Sequence, residues 1–221
     1  MVNKKPGDHV NETETSARLS LIETVQQTYP EAQIVHRLDR ETSGVLLFGR
    51  GPLASRLLSQ CFEKRAIRKR YLALVEGRVS NADILNGSIS KDPRSPRTYR
   101  VHNSGKPART EIQVLGSTEG VSAVSARPIT GRTHQIRVHL SHAGFPILGD
   151  RRYGGPTAIR LAGETLEISR VMLHAAELEI PTSSYPWSFP NCPDRLKFSA
   201  KLPSDMKEIS TRGLALDAVF K

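Results

Sequence analysis

The chain has 221 residues, of which 38% are hydrophobic and 5% aromatic, enough for a buried core in one substantial domain. A formal net charge of +10, carried largely by arginine, points to a polyanionic partner, because the guanidinium group is a rigid donor fork suited to phosphate oxygens. The polar opening reads against a signal peptide, and no apolar run approaches the roughly 18 residues of a membrane span. Cys61 and Cys192 show neither metal nor redox spacing, so a soluble, cytoplasmic protein is expected.

In chain order, residues 15 to 28 predict a first helix, with Thr15 or Ser16 as its cap. Leu19, Ile22, Val25 and Gln26 give it an interrupted apolar face that ends before Pro30. Residues 45 to 49 read as a short apolar strand. Pro52 suits the first turn of a second helix in which Leu53, Leu57, Leu58, Cys61 and Phe62 share a face. Its opposite face and exit carry Arg56, Lys64, Arg65, Arg68, Lys69 and Arg70. Tyr71 to Val75 follows as a strand, ended by Gly77.

Between Arg78 and Pro107 clear periodicity is lost, with a loop at Lys91 to Arg97 and a turn at Asn103 to Lys106. Glu111 to Leu115 and Val121 to Arg127 form a hairpin signal. Thr133 to Ala143 predicts a third helix, with Ile136, Leu140 and Ala143 inward and Gly144 at its C-terminal cap. Val171 to Ile180 is a late strand. The tail, 181 to 221, is rich in Pro and Ser, and Leu202 to Met206 starts a terminal helix. Without an internal repeat or a long linker, residues 1–221 are expected to form a single α+β domain. Its sheet should be mixed and largely antiparallel rather than doubly wound, and no Gly-rich nucleotide loop interrupts it.

The stretch that carries most chemistry is His36-Arg37-Leu38-Asp39-Arg40-Glu41-Thr42-Ser43-Gly44, directly before the apolar run Val45 to Phe48. A carboxylate between two arginines, on a turn leading into a buried strand, is held rigidly, as a nucleophile or electrostatic catalyst requires. Read by themselves, Arg37 and Arg40 also suit plain surface pairing with Asp39 and Glu41. His134, His139 and His142 invite a metal site. Helical spacing turns His134 and His142 roughly 80° apart, however, and no thiol or paired carboxylate joins them, so structural or RNA-contacting roles are expected. His36 and His174 suit local hydrogen bonds, and no Gly-x-Ser-x-Gly elbow is present.

Seven pieces of this sequence, in order, resemble the RluA-type RNA pseudouridine synthases, over a span reaching about residue 208. They are Asn3 to Gly7, the Asp39 motif, Lys69-Arg70-Tyr71-Leu72-Ala73-Leu74-Val75-Glu76-Gly77 and Lys106 to Thr110. Gly131-Arg132-Thr133-His134-Gln135-Ile136-Arg137-Val138-His139-Leu140, Gly149 to Gly154 and Leu173-His174-Ala175 complete the set. The chain departs from the family pattern at Asp8-His9-Val10, and at Glu179-Ile180-Pro181, where His-Pro is common. Many relatives also carry a small N-terminal S4-type domain; this sequence begins at the catalytic domain, so it is expected either to work alone or to be truncated.

The resemblance implies the pseudouridine synthase fold and isomerisation of uridine to its C-glycoside within ribosomal or transfer RNA. It makes Asp39 the nucleophile, places Tyr71 against the base ring, and gives Arg137 to Asp39 as its partner. Arg37 would enter the space left by the flipped base, while Arg40, Arg68, Arg70, Arg132 and His134 would face the RNA. Isomerisation transfers no electrons and hydrolyses nothing, so neither a cofactor nor a metal is expected. A monomer without an obligatory protein partner is the simplest expectation. The rival readings are a catalytically silent RNA-binding protein using the same basic surface and, more remotely, a base-flipping DNA glycosylase.

Overall fold

The computed structural model describes residues 1–11, 19–81, 83–118, 120–161, 163–182 and 194–213. The first part of the chain forms β1 (Val2–Lys4), α1 (Leu21–Gln26), β2 (Ala32–Ile34), β3 (Ser43–Leu46), β4 (Phe48–Arg50) and α2 (Gly51–Glu63). The middle forms β5 (Arg68–Glu76), β6 (Asp83–Asn86), β7 (Ile89–Lys91), β8 (Tyr99–Val101), β9 (Arg109–Ser117), β10 (Val121–Pro128) and α3 (Gln135–His142). A short 3-10 helix (Arg151–Tyr153), β11 (Ala158–Leu161), β12 (Glu164–Glu167), β13 (Leu173–Pro181), β14 (Arg195–Ser199) and α4 (Ser204–Gly213) follow. They sort into two compact units, Met1–Lys69 with Ala175–Lys201, and Arg70–His174 with Leu202–Lys221.

In the first unit, β1 pairs antiparallel with β3, β2 with β4, and β14 with β13. The expected strand at 45 to 49 is two strands, β3 and β4, which part at Leu47. Helix α1 begins later than its apolar spacing predicts, because Ser20 caps it. The Ser20 hydroxyl accepts from the Glu23 N–H, and the Glu23 carboxylate accepts from the Ser20 N–H, which closes a capping box. Thr15 and Ser16, the expected caps, lie outside the described residues, and Leu19 is exposed.

The core of this unit joins Val35, Val45, Leu47, Cys61, Ile67, Leu178 and Ile180, with Leu58, Phe62, Phe198 and Ala200 packed against them. Full burial of each such aliphatic side chain stabilises by about 1.5–3 kcal/mol. Pro52 stands in the first turn of α2 as expected, but Leu53 is 63% exposed and does not share the buried face. The reason is the close approach of β4. A Cβ added at Gly49 would lie 2.4 Å from the Ser55 Cα, so the inward line of α2 starts at the small Ser55. Gly44 answers a similar demand. Its φ is +115°, and an added Cβ would lie 2.2 Å from the Ala175 carbonyl oxygen, so no other residue fits the end of the Asp39 motif.

In the second unit, β5 pairs antiparallel with β10, β10 with β9, and β9 with β6. The expected hairpin is β9–β10, with a register shift between Ala123 and Val124. Helix α3 starts two residues later than predicted, buries Ile136 and Leu140, and ends at Gly144, whose φ is +86°. Residues 78 to 107, where periodicity fails, supply β6 and the antiparallel pair β7–β8. Ile89, Ala108 and Val138 form a local core there, with Tyr99, Val101 and Tyr153 against it. The predicted terminal helix is α4. Met206, Ile209 and Ser210 are buried on it, and Asp205 accepts a bidentate fork from Arg170 at 2.6 Å to each oxygen. Most of the remaining tail, including Cys192, lies outside the described residues, whereas Cys61 is buried. Among the described residues, no helix is long and apolar enough to cross a membrane.

Candidate active site

Asp39 sits in the first unit, on the connection from β2 to β3, half-buried between the buried Leu38 and the exposed Arg40. What fixes this connection is Lys4, a strand residue that alternation turns inward. Lys4 is 1% exposed, and its ammonium donates to the carbonyls of Lys5 at 2.9 Å, Arg40 at 2.8 Å and Thr42 at 2.9 Å. Burial pushes Lys4 down to about 8, against the opposing pull of Asp8, Glu41 and Asp39. The Gly7 N–H also donates to the Arg40 carbonyl, at 2.8 Å, and the Thr42 N–H to that of Asp39, at 3.1 Å. The backbone on the C-terminal side of Asp39 is therefore tied to the β1 turn on both flanks of Glu41.

His36 anchors the other side of Asp39. Its ring stacks on Phe62 at 4.3 Å, and its Nε2 accepts from the Leu47 N–H at 2.9 Å. Burial, with Lys69 adding repulsion, pushes His36 down to about 3, so the imidazole is neutral, as an accepting nitrogen requires. Of the neighbouring arginines, Arg37 is exposed. Arg40 donates from Nε to the Gly7 carbonyl at 3.2 Å and lies 3.8 Å from Glu41. Arg68 is exposed at the start of β5.

The second unit holds Arg70 and Tyr71, both half-buried on β5, with Tyr71 opposite Ala126. It also brings Arg137 and His134 together around Tyr153. Arg137 is buried on α3 and donates from Nε and Nη2 to the two carboxylate oxygens of Asp150, at 2.7 and 2.8 Å. The ring of Tyr153 lies 5.0 Å from its guanidinium carbon. His134, at φ +55° before α3, meets the Tyr153 hydroxyl through Nδ1 at 2.6 Å. The Tyr153 hydroxyl also accepts from the Tyr99 N–H at 3.1 Å, and burial pushes this phenol up to about 12.

Gln135 ties the loop before α3 to β9. Its carbonyl accepts from the Thr130 hydroxyl at 2.6 Å and the Arg132 N–H at 3.0 Å, while its amide donates to the Arg109 carbonyl and the Thr110 hydroxyl. Arg132 itself donates from Nε to the Pro107 carbonyl at 3.2 Å. One turn along α3, His139 continues the network. Its Nε2 faces the Gly87 carbonyl, which only accepts, so Nδ1 accepts from the Thr110 hydroxyl at 2.9 Å. Burial lowers the His139 pKa and favours this neutral form. His142 is exposed at the end of the helix.

Sequence reasoning did not single out Lys4, Gln135, Asp150 or Tyr153. Each stands inside a motif it did identify. A lysine at an inward strand position was a signal of the first; a lone Asp between glycine turns was a weaker signal of the third.

The RNA pseudouridylate synthase family matches residues 1–142. An uncharacterized RNA pseudouridine synthase of Chloroflexus aurantiacus is 37% identical over 215 residues, 93% of this chain and 63% of that protein. The dual-specificity RNA pseudouridine synthase RluA of Salmonella typhimurium is 40% identical, over 75% of this chain and 74% of that one. Among solved structures, Human RNA Pseudouridylate Synthase Domain Containing 1 shares the fold with a TM-score of 0.71 at 29% identity, covering 90% of this chain and 77% of that one. Human RNA Pseudouridylate Synthase Domain Containing 4 does so at 0.71 and 25%, covering 95% and 87%. The α+β fold expected from the sequence is thus the fold of these domains. The matched stretch runs from the first residue to the end of α3 and takes in both the Asp39 connection and Arg137, and the chain belongs to the RNA pseudouridylate synthase family.

Proposed function

We propose that the chain isomerises uridine to pseudouridine in ribosomal or transfer RNA, with Asp39 as the nucleophile. The observation that carries this reading is the seat of Asp39: a half-buried carboxylate on a connection tied down by the buried Lys4 and by Gly44. A catalytic group held by its own backbone needs little reorganisation to meet a reacting atom. Residues 1–142, matched by the family, run through both units, which supports one catalytic domain. A relative from Vibrio parahaemolyticus is named a ribosomal large subunit pseudouridine synthase, and the Salmonella relative a dual-specificity one.

In the proposed reaction the Asp39 carboxylate attacks C1′, or supports positive charge there, as the N1–C1′ bond breaks. The uracil turns, C5 bonds to C1′, the C5 proton leaves and N1 gains one, so the product is an isomer and no electrons are exchanged. Arg137 balances the charge on Asp39. Tyr71 stacks on the uracil and takes the C5 proton, directly or through water. The target atom is out of reach in a base stack, so the nucleotide flips out and Arg37 occupies the space it leaves. Arg40, Arg68, Arg70, Arg132 and His134 meet the RNA, where phosphate contacts set position rather than read sequence.

The test is to incubate the protein with unmodified ribosomal and transfer RNA transcripts, digest them and measure pseudouridine among the nucleosides. Formation of pseudouridine is expected. Tight RNA binding without any pseudouridine would make the protein a silent RNA binder instead.

A further inference from the structure

Of the motifs in this chain, the segment from Gly149 to Gly155 has no task in the reaction above, yet it is built tightly around one residue, Asp150. The Asp150 side chain is fully buried, and both of its oxygens accept from Arg137. Its backbone closes the turn. The N–H donates to the Ile147 carbonyl at 3.0 Å, and its carbonyl accepts from the N–H groups of Tyr153 at 3.0 Å and Gly155 at 2.9 Å. Glycines permit the fit on either side. A Cβ at Gly149 would lie 1.8 Å from the Arg170 carbonyl oxygen, and one at Gly155 1.8 Å from that of Ile147.

The same turn places the Tyr153 ring beside the Arg137 guanidinium, and the Tyr153 hydroxyl is itself fixed by the Tyr99 N–H and His134. Arg137 is thus held in its plane by a two-pronged fork and flanked by a ring. A buried ion pair adds little net stability over apolar residues of the same size, so stability alone does not account for this construction.

We infer that Asp150 is a positioning residue for the reaction: its two-pronged fork sets the plane in which the Arg137 guanidinium is presented. This rests on the proposed pairing of Arg137 with Asp39. An arginine held by a bidentate fork presents one geometry, whereas an untethered one samples many.

The test is a steady-state comparison of wild type, Asp150→Asn and Asp150→Glu on an RNA that the wild type modifies. A wild type that makes no pseudouridine refutes the reaction itself, independently of Asp150. With an active wild type, Asp150→Asn should lower kcat about a hundredfold, since small misplacements cost that much, and leave KM and RNA affinity within about twofold. Asp150→Glu keeps the buried charge paired but moves the fork, and its kcat should fall about tenfold in a folded protein. In an Arg137→Lys background, where the fork is already lost, Asp150→Asn should cost little more. Wild-type kcat in Asp150→Glu, a loss in Asp150→Asn shared equally by RNA affinity, or full additivity with Arg137→Lys would each overturn the inference.

Discussion

The ammonium of Lys4 donates to the Thr42 carbonyl at 2.9 Å, bridging 38 residues of sequence, and in doing so joins the first strand to the connection that carries Asp39. The bond is one of three from the same nitrogen, all to backbone carbonyls and two of them inside the Asp39 motif. Such an arrangement fixes the main chain on which the carboxylate rides, rather than the carboxylate itself.

Replacing Lys4 by Met removes those donors while keeping a side chain of similar length. The buried Thr42 carbonyl then loses its lysine donor and the Arg40 carbonyl is left with the Gly7 N–H, and the protein should lose about 3 kcal/mol of stability. Urea denaturation of the two proteins measures this. A loss well below 1 kcal/mol would mean that the Thr42 carbonyl finds another donor at little cost.

The neutral, half-buried His36 makes stability depend on pH. Its folded pKa, about 3, lies below its ordinary 6.5, so on acidification the unfolded chain takes up a proton that the folded chain refuses. The contribution is therefore absent above 6.5, and stability is lost as pH falls from 6.5 towards 3, by up to about 1.4 kcal/mol per pH unit. His36→Gln, which keeps an acceptor for the Leu47 N–H, should flatten the decline between pH 6.5 and pH 5 in parallel urea titrations. An unchanged decline would show that His36 is protonated within the fold.

Arg68, exposed, and Arg70, half-buried, flank the half-buried Lys69, whose pKa burial lowers, and both arginines belong to the proposed RNA-facing set. Changing both to Gln should weaken RNA binding and reduce the slope of log K against log salt by about 1.5, as expected for two lost phosphate contacts. Binding measured from low to moderate salt tests this, and an unchanged slope would remove both residues from the interface.

Much of the fold was legible because its signals are local. The β9–β10 hairpin, the Gly144 end of α3, Pro52 in α2 and the start of α4 each follow from residues close in sequence. The misreadings have physical causes. Strands β6 to β8 are three or four residues long, and only Ile89 among them is fully buried, so they carry too few inward positions for alternation to show. The start of α1 follows the Ser20–Glu23 box rather than apolar spacing, and that box could have been read from the sequence. Leu53 was assigned inward by helical spacing, but the face of α2 is set by where β4 passes, a long-range fact.

The candidate site divides in the same way. Asp39, Tyr71 and Arg137 are proposed from motif order, as are the arginines of the same motifs. The groups that hold them were not legible in the sequence: Lys4 acts on carbonyls 36 and 38 residues away, and the partner of Arg137 among the groups around it, Asp150, lies 13 residues on, beyond the end of its helix.

The most direct measurement is tritium release from RNA labelled at C5 of uridine, with wild type and Asp39→Asn run side by side and RNA binding measured on the same preparations. The account predicts release by the wild type, none by Asp39→Asn, and affinities within about threefold of each other, because the carboxylate acts on the reacting sugar rather than on binding. Release by Asp39→Asn at the wild-type rate would contradict it.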